Sequence, residues 1–470
     1  MNPMTDVLKG QLLAIVAPHG QEHVLAFWER LGADERQALA AQVRAIDFPL
    51  IAQLTRAGDA AEDIHAAIDR ATPPPAFRLD GMGNRFSAAE ACRCGQAALA
   101  EGRCGVILVA GGQGTRLGFA HPKGMFPIGP ISRRSLFQVH VEKILAVARR
   151  YGVRIPLCLM TSPATHAETV EYFARHERFG LPAEDLTIFC QGTMPAVDAQ
   201  SGKVLLDAPG HVFASPDGHG GMLAALARSG ALAELRRGGV ETLFYFQVDN
   251  PLVDVLGAGF LGYHLLSNSE LSTQVVRKQE PLEKVGNVVA VDGQLRIIEY
   301  SDLPDDAARR RNPDGTLAIW AGSIAVHAMQ ASFLDRMASP SDSLPLHRAR
   351  KKVPYIDATG CHVEPAAPNA IKFERFIFDL LPAAARAIVV EIDPQRCFAP
   401  LKNASGDKQD TPEIVRAQMV ALHAEWLGQA GAKLDAGVEV EINPLFALDA
   451  AELAKKIKPG VQIVESTYFH

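Results

Sequence analysis

The chain has little of what membrane, secreted and nucleic-acid-binding proteins need. Its 470 residues contain no long apolar run and no basic segment that leads into an apolar start, so we expect neither a membrane span nor a signal peptide. Acidic residues outnumber basic ones, giving a formal net charge of −6, so no general attraction to nucleic acid or to an acidic membrane is expected. Cations that bind a phosphate ligand must therefore be concentrated locally.

Cysteine is scarce and irregularly spaced. The seven cysteines are an odd number, and a single residue separates Cys92 from Cys94, which is too short for a CxxC pair. No group of histidine and cysteine surrounds that pair, so a zinc site is not expected. We predict free thiols in a reducing compartment, and therefore a cytoplasmic protein.

Hydrophobic residues make up 48% of the chain and charged residues 21%, a balance typical of folded globular proteins. A chain of 470 residues is too long for one ordinary core. We predict an N-terminal helical region over residues 1–100, a central α/β domain over residues 101–392 and a small C-terminal α/β domain over residues 393–470.

Helical spacing dominates the first of these parts. Apolar residues recur at intervals of three and four around Leu12 and Trp28, and the aromatic pair at 27 and 28 is expected to pack in a core. Asp34 and Gln37 resemble a capping box that opens another helix. Residues 88–100 predict one more helix.

Short apolar runs alternate with helical patterns through the middle of the chain. The predicted strands are residues 106–109, 156–160, 186–189 and 243–248. The predicted helices between and after them are residues 136–150, 164–173 and 222–235. This alternation predicts a Rossmann-like domain with a mixed, mostly parallel sheet between helices, and ligands at the carboxyl ends of the strands. Towards the C-terminus, residues 417–427 predict a helix and residues 438–442 and 461–464 short strands.

The stretch around which the chain is organised is a glycine-rich loop directly after the first of those strands. Residues 110–118 read AGGQGTRLG, and Pro122 and Lys123 follow. Glycines let backbone N–H groups approach phosphate oxygens, and Arg116 and Lys123 add cationic donors. The glycine spacing alone is equally compatible with a tight turn, and it matches neither GxxxxGK[ST] nor GxGxxG.

Other polar residues lie where two more strands end. Gln191 follows the third strand and offers a side-chain amide, and Asp249 ends the fourth. A carboxylate beside a phosphate loop is well placed for Mg²⁺, although an Asp-Asn-Pro sequence is also a common turn. Residues 216–221, PDGHGG, form a second glycine-rich turn ahead of a predicted helix.

Taken together, these motifs resemble the UDP-sugar pyrophosphorylase family. AGGQGTRLG with its PK, the VDN at 248–250, the EYS at 299–301, the AGSIA at 321–325, the IKFE at 371–374 and the PLKNA at 400–404 occur in the family's order. The sequences of these motifs most resemble those of the UDP-N-acetylhexosamine branch of the family.

The resemblance implies a role for each matched position. It implies that catalytic cations are Arg116, Lys123, Lys372 and Lys402; that nucleotide contacts come from Val109, Ala110, Gly111, Gly112, Gln191, Gly218 and Asp249; that sugar contacts come from His219, Gly286, Glu299 and Ser323; and that Asp249 binds Mg²⁺.

The implied reaction joins UTP and a hexose 1-phosphate into a UDP-sugar and pyrophosphate. The nucleophile is already an anion at neutral pH, so no general base is needed. N-acetylglucosamine 1-phosphate is the favoured substrate. The family's N-acetylhexosamine enzymes carry asparagines where this chain has His219 and Ser323, so glucose 1-phosphate or a broad sugar range stays open as an alternative.

Two other classes of protein are less compatible with the sequence. A silent nucleotide-sugar sensor would be expected to lose Arg116, Lys123 or Asp249, and none is lost. A dinucleotide-dependent oxidoreductase would need GxGxxG and an acidic residue about twenty positions further on. Nothing in the sequence indicates which oligomeric state the protein has.

Overall fold

The computed structural model describes residues 3–56, 64–339 and 344–470. The chain forms two compact units that each combine separate segments: unit 1 comprises Met1–Ile64, Gln191–Met222 and Leu344–Ile377, and unit 2 comprises His65–Cys190, Leu223–Ser343 and Phe378–His470. The division into three consecutive domains near residues 100 and 392 stays a prediction.

Helices occur in both units and are numbered in chain order. They are α1 Pro3–Val16, α2 Ala33–Ala45, α3 Phe48–Arg56, α4 Ile64–Asp69, α5 Ala88–Ala100, α6 Leu136–Tyr151, α7 Pro163–Arg175, α8 Gly221–Arg228, α9 Ala231–Arg237, α10 Ala258–Leu266, α11 Asp305–Ala308, α12 Ala331–Met337, α13 Leu380–Ala383, α14 Pro394–Cys397, α15 Pro412–Gln429 and α16 Ala450–Leu453.

Strands are numbered in the same way. They are β1 Ala76–Phe77, β2 Cys104–Val109, β3 Leu157–Thr161, β4 Leu186–Cys190, β5 Thr193–Pro195, β6 Val197–Asp198, β7 Leu206–Ala208, β8 His211–Val212, β9 Ala214–Pro216, β10 Thr242–Gln247, β11 Leu271–Arg277, β12 Gly286–Val291, β13 Gln294–Ile298, β14 Ala321–Gln330, β15 His347–Lys351, β16 Tyr355–Ile356, β17 His362–Val363, β18 Ala370–Glu374, β19 Ala387–Glu391, β20 Lys433–Leu434, β21 Val440–Ile442, β22 Gln462–Ile463 and β23 Thr467–Phe469.

A large mixed sheet organises unit 2. Its strand order is β1-β19-β11-β14-β10-β2-β3-β4, with the β12–β13 hairpin attached to β14. The pairs β10–β2, β2–β3 and β3–β4 are parallel, whereas β14 is antiparallel to both of its neighbours in that order. The predicted fold class, a Rossmann-like α/β domain with a mixed, mostly parallel sheet, is confirmed.

The central strands of this sheet are apolar because helices cover them. Every residue of β2 and of β3 is buried, and the main hydrophobic core of unit 2 joins these strands to α5, α6 and α10. Parallel strands that are covered on both faces have continuous apolar sequences rather than alternating ones. That is why the runs at 106–109 and 156–160 could be predicted as strands.

Two helices of unit 2 touch through glycine. A Cβ atom added at Gly95 of α5 would lie 1.9 Å from the carbonyl oxygen of Ala258, and one added at Gly262 of α10 would lie 1.6 Å from that of Ala91. A side chain at either position would overlap the facing backbone. The backbones of α5 and α10 therefore pack directly against each other.

Unit 1 has its own core and small sheets. Its three-stranded sheet has the order β15-β18-β6, and the pairs β5–β9, β7–β8 and β16–β17 are antiparallel. Leu12, Phe27 and Trp28 are buried together with β6 and β18 side chains. The expectation that the aromatic pair at 27 and 28 packs in a core is confirmed.

Two local predictions were wrong. Residues 222–235 do not form one helix, since α8 ends at Arg228 and α9 starts at Ala231, with Gly230 between them at a left-handed φ of 80°. The capping box is not formed by Asp34 and Gln37. Helix α2 begins two residues earlier than that pair predicts, and the backbone N–H of Gly32 donates to Glu35 Oε2 at 2.7 Å.

The C-terminal part of unit 2 agrees with its predicted elements. The α15 helix is longer than predicted, and strands β20–β22 and β21–β23 form two parallel pairs beside it. These elements enclose a separate small core around Leu427 and Val440.

Among the helices of the described residues, none is long and apolar enough to span a bilayer. All seven cysteines are free thiols, as predicted.

Candidate active site

The glycine loop starts where β2 ends, at the carboxyl edge of the sheet in unit 2. The loop closes on itself, because the N–H of Gly114 donates to His121 O at 2.9 Å and the N–H of Lys123 donates to Gly112 O at 3.1 Å. A Cβ atom at Gly114 would lie 2.8 Å from the Phe119 carbonyl oxygen, whereas one at Gly112 would meet no atom within 4 Å. Gly114 is thus needed by the loop itself, and Gly112 faces open space.

Asp249 lies next to this loop because two parallel strands run side by side. Val109, the last residue of β2, pairs with Gln247, the last residue of β10, and the N–H of Val248 donates to Val109 O at 3.0 Å. The carboxyl ends of neighbouring parallel strands share one edge, so the loop from Ala110 and the turn at Asp249 begin together.

Lys123 connects the glycine loop to Asp249. Its Nζ lies 3.9 Å from Asp249 Oδ2 and donates to Leu401 O at 3.3 Å, and the two charged side chains are 18% and 16% exposed. A lysine held beside a carboxylate at an open strand edge is a positioned cation rather than a mobile surface charge. Arg116, on the same loop, is exposed.

A cavity of about 220 Å³ lies at this edge and collects five of the predicted site residues. Its lining includes Asp249, Gly286, Glu299, Ser323 and Lys402. These positions are up to 153 residues apart in the chain, from 249 to 402. The structure thus unites the predicted metal carboxylate, three predicted sugar contacts and one predicted cation.

Pairing of β12 with its neighbours positions the sugar-side residues. Gly286 is opposite Ser323 of β14, and Asn287 is opposite Ile298 of β13, the residue before Glu299. The hairpin turns at Asp292 and Gly293, which both have left-handed φ, as two-residue hairpin turns with an Asp-Gly sequence typically do. The N–H of Ala325 donates to Ser323 Oγ at 3.3 Å.

The remaining predicted residues belong to unit 1. Gln191 is buried, and its amide nitrogen donates to Gly218 O at 3.3 Å and to Asp217 Oδ1 at 3.4 Å. Gly218 has a φ of +82°, and a Cβ there would lie 2.3 Å from Arg375 O. Gln191 and the second glycine turn therefore form one hydrogen-bonded group.

His219 and Lys372 lie on segments that contact each other in the same unit. His219 Nδ1 accepts from the N–H of Ile377 at 3.2 Å, and burial lowers the pKa of His219 to about 4, so the imidazole is neutral at physiological pH. Lys372, on β18, has its Nζ 5.0 Å from the centre of the Phe213 ring, and burial also lowers the pKa of Lys372.

Sequence reasoning missed residues that support the cavity of unit 2. Lys278 is 4% exposed, and its Nζ donates to Asn287 Oδ1 at 2.6 Å and to Pro281 O at 3.0 Å. Asn250 donates to Cys397 O at 2.8 Å and accepts from the N–H of Ala399 at 3.0 Å. No local sequence pattern predicts these contacts. Those of Asn250 join segments that are distant in sequence, and those of Lys278 lie within one irregular loop and its edge.

The donor set of the cavity fits a magnesium ion held together with substrate phosphates. Mg²⁺ typically takes one or two carboxylates and completes its shell with phosphate and water oxygens. Asp249 supplies one such carboxylate at the cavity wall. Within the described ranges, no three histidine, cysteine, aspartate or glutamate side chains are grouped so that they could hold a metal ion.

Two cationic side chains of the glycine loop, those of Arg116 and Lys123, can neutralise phosphate charge without acid–base chemistry. The strand-end carboxylate of Asp249 is suited to hold a metal ion that binds the same phosphates. On a mostly parallel sheet with helices on its faces, this arrangement defines a nucleotide-binding α/β protein of the transferase type.

Comparison with known proteins identifies the family. Residues 89–436 match the sequence model of the family described as UTP–glucose-1-phosphate uridylyltransferase. The chain belongs to this family, and the predicted class of enzyme, a uridylyltransferase, is confirmed.

Individual relatives cover most of the chain. The UDP-N-acetylglucosamine pyrophosphorylase of Saccharomyces cerevisiae is 36% identical over 81% of this chain and 82% of its own length. The UDP-N-acetylhexosamine pyrophosphorylase-like protein 1 of Homo sapiens is 36% identical over 89% of this chain and 85% of its own. The crystal structure of the uridine diphosphate N-acetylglucosamine pyrophosphorylase from Trypanosoma brucei superposes with a TM-score of 0.81 at 26% identity, covering 97% of this chain and 98% of that one.

Proposed function

We propose that the chain makes UDP-N-acetylglucosamine and pyrophosphate from UTP and N-acetylglucosamine 1-phosphate. The observation that carries this proposal is the match, over more than four fifths of both chains, to a relative that is named for this sugar. The cavity of unit 2 supports it, since it unites Asp249 and Lys402 with the sugar-side residues Gly286, Glu299 and Ser323.

In the proposed reaction, a phosphate oxygen of the sugar 1-phosphate attacks the α-phosphorus of UTP in line, and the bond to pyrophosphate breaks. The attacking phosphate oxygen is already an anion. The protein therefore needs to position the two substrates and neutralise their phosphate charge, rather than remove a proton. Lys123 and Arg116 would hold the charge of the leaving pyrophosphate, and Lys402 would add positive charge near the phosphates. Asp249 would hold Mg²⁺, which supplies further neutralisation of phosphate charge when bound.

The predicted roles of the unit 1 residues remain part of the proposal. The buried amide of Gln191 is suited to pair with the edge of uracil, and Lys372 would offset the charge of the sugar phosphate. A cytoplasmic location also remains proposed, and it is supported by seven free thiols.

The first test is a panel of sugar phosphates. We expect kcat/KM for N-acetylglucosamine 1-phosphate to exceed that for glucose 1-phosphate by roughly ten-fold or more, since a site built to bind an acetamido group discriminates against sugars that lack it. The measurement is pyrophosphate release from UTP and Mg²⁺ with the 1-phosphates of N-acetylglucosamine, N-acetylgalactosamine, glucose and galactose.

A second candidate function rests on one cavity residue. Ser323 has a shorter side chain than the asparagine that resemblance to the N-acetylhexosamine branch leads us to expect, and it lines the cavity. Equal or better turnover with glucose or galactose 1-phosphate would replace the proposal by a UDP-glucose or broad UDP-sugar enzyme. His219 is a weaker basis for that alternative, because its ring is half-buried and accepts a backbone hydrogen bond from the N–H of Ile377.

Two neighbouring glycines are expected to respond differently to alanine. Gly114→Ala places a Cβ against the Phe119 and His121 carbonyl oxygens, so we expect it to destabilise the fold by about 1–3 kcal/mol. Gly112→Ala meets no protein atom within 4 Å, so the melting temperature is expected to stay within about 2 °C while KM for UTP rises. Thermal melting and UTP titration measure both effects. An unchanged KM in Gly112→Ala would remove Gly112 from the nucleotide site.

A further inference from the structure

A second cavity in unit 2, of about 600 Å³, is larger than the candidate active-site cavity and is not used by the proposed reaction. Its walls come from α5, α6, α10 and α15 and from the C-terminal strands β21 and β23. Its volume falls within the range of pockets that hold small organic ligands, about 300–1,000 Å³. We call it the C-terminal cavity.

Aromatic rings and aliphatic side chains line much of this cavity. Tyr151, Trp426 and Tyr468 are aromatic residues of the wall, and Leu252, Val255 and Met419 are among its aliphatic residues. Pockets with aromatic and aliphatic walls and a few polar groups are suited to ligands that contain a flat ring.

The charges of the wall cancel one another. Four cationic side chains (Arg134, Lys143, Arg150 and Arg396) and four acidic ones (Glu142, Asp254, Glu441 and Asp449) line the cavity. Burial lowers the pKa of His423, also in the wall, to about 3, so this imidazole carries no charge at physiological pH.

The cations are also individually engaged. Arg150 Nη1 pairs with Asp449 at 2.6 Å, Arg134 pairs with Glu142, and Arg396 pairs with Glu425. Lys143 Nζ donates to the carbonyl oxygens of Pro251 and Val253 at 2.6 and 2.7 Å. A phosphate or carboxylate ligand would have to break these pairs and would then face four carboxylates. The wall therefore suits an uncharged ligand.

Two chain segments line both cavities. In the first segment, Asp249 and Asn250 line the active-site cavity, and residues 251–259 line the C-terminal cavity. In the second segment, Arg396 and Cys397 line the C-terminal cavity, and Phe398, Pro400 and Lys402 line the active-site cavity. Each segment therefore has one end at each cavity.

Hydrogen bonds hold these two segments together at the boundary between the cavities. Asn250 Nδ2 donates to Cys397 O at 2.8 Å, the N–H of Ala399 donates to Asn250 Oδ1 at 3.0 Å, and the N–H of Leu401 donates to Asp249 O at 2.8 Å. Leu401 O in turn accepts from Lys123 Nζ. These hydrogen bonds connect both segments to Asp249 and Lys123, and they give a displacement in the C-terminal cavity a route to the active-site cavity.

We propose that the C-terminal cavity is a regulatory binding site for an uncharged small molecule with a flat ring, and that its occupancy lowers the activity of the candidate active site. Occupancy shifts the two shared segments, and Lys123 and Lys402, whose cations neutralise phosphate charge, then lose their alignment with Asp249. The binding part of this inference stands independently of the proposed function, and only its effect on turnover rests on it.

The binding test uses 4-fluorobenzamide, an uncharged ring compound whose fluorine resonance broadens when it binds to a large protein. The full chain is titrated with the probe at millimolar concentration. We expect broadening in the wild type. Absence of broadening would overturn the inference of a binding site for such ligands.

A blocking variant locates the site. Gly259, at the start of α10, lines the cavity, and a Cβ there would meet no atom within 4 Å, so Gly259→Phe projects a ring into the space without a backbone clash. The matched control is Gly428→Phe in α15, since Gly428 is also helical with no atom within 4 Å of an added Cβ and is not part of the cavity lining. Gly259→Leu is a smaller blocking variant for use if the phenylalanine variant melts early.

Broadening is expected to persist in Gly428→Phe and to disappear in Gly259→Phe. Broadening that survives both blocking variants would place the probe elsewhere, including the active site, and would overturn the assignment of this cavity. The kinetic test measures kcat/KM for UTP with saturating probe, which should fall by about five-fold or more in the wild type and in Gly428→Phe, and stay constant in Gly259→Phe.

The failure of each inference has its own signature. Probe binding in the C-terminal cavity without a change in kcat/KM would overturn the regulatory role. A chain that binds the probe there but turns over UTP with none of the sugar phosphates would overturn the proposed function, while the binding site would stand.

Discussion

Replacing Lys123 by alanine is expected to lower kcat by about 100-fold or more, the scale of removing one preorganised electrostatic group from an active site. The structure supports this because Lys123 Nζ is held by Leu401 O at 3.3 Å and lies 3.9 Å from Asp249 Oδ2. Its cation thus lies at the edge of the sheet where the glycine loop begins. The measurement is pyrophosphate release at saturating UTP, sugar phosphate and Mg²⁺.

The matched control for this variant is Lys455→Ala. Lys455 is an exposed lysine of unit 2 that is not part of the cavity lining, so its kcat is expected to stay within about two-fold of wild type. Melting curves of both variants separate a loss of chemistry from a loss of fold. Wild-type turnover in Lys123→Ala would remove Lys123 from the mechanism.

Asp249→Asn is expected to have a loss of kcat of similar size or larger, roughly 100- to 1,000-fold, together with a Mg²⁺ requirement that rises by about ten-fold or more. Asparagine keeps the shape of the side chain but removes the charge that would hold the metal ion. The backbone carbonyl of Asp249, which accepts from the N–H of Leu401, is unaffected by this change. The measurement is turnover as a function of Mg²⁺ concentration.

Asp306→Asn is the control for removal of an exposed carboxylate, since Asp306 lies at the start of α11 and not in the cavity lining. It should leave the Mg²⁺ titration unchanged. If Asp249→Asn also showed the wild-type Mg²⁺ dependence, the metal ion would have to be held by other groups.

The sequence could predict the edge of the sheet where the candidate site lies because the main parts of that candidate site are local. The glycine loop and Asp249 each follow a short apolar strand, and the carboxyl ends of neighbouring parallel strands share an edge. The β12–β13 hairpin could likewise be predicted from the Asp292–Gly293 turn.

The parts that escaped prediction depend on contacts between distant segments. Asn250 is bonded to Cys397 and Ala399, almost 150 positions away, and no periodicity marks such a pair. The apolar spacing of residues 222–235 continues through Ser229 and Gly230, so periodicity alone could not reveal the break between α8 and α9. Near α2, several acidic and amide side chains compete for one cap, and Glu35 rather than Gln37 forms it.

The direct packing of α5 against α10 also limits how the protein can evolve and move. Since a Cβ at Gly95 or Gly262 would overlap the facing backbone, a mutation at either position can be tolerated only if the two helices separate, which would open the core around them. The pair therefore acts as a fixed frame on one side of the C-terminal cavity. We therefore expect mutational change and ligand-induced movement in other walls of this cavity, which include residues 251–257 and strands β21 and β23.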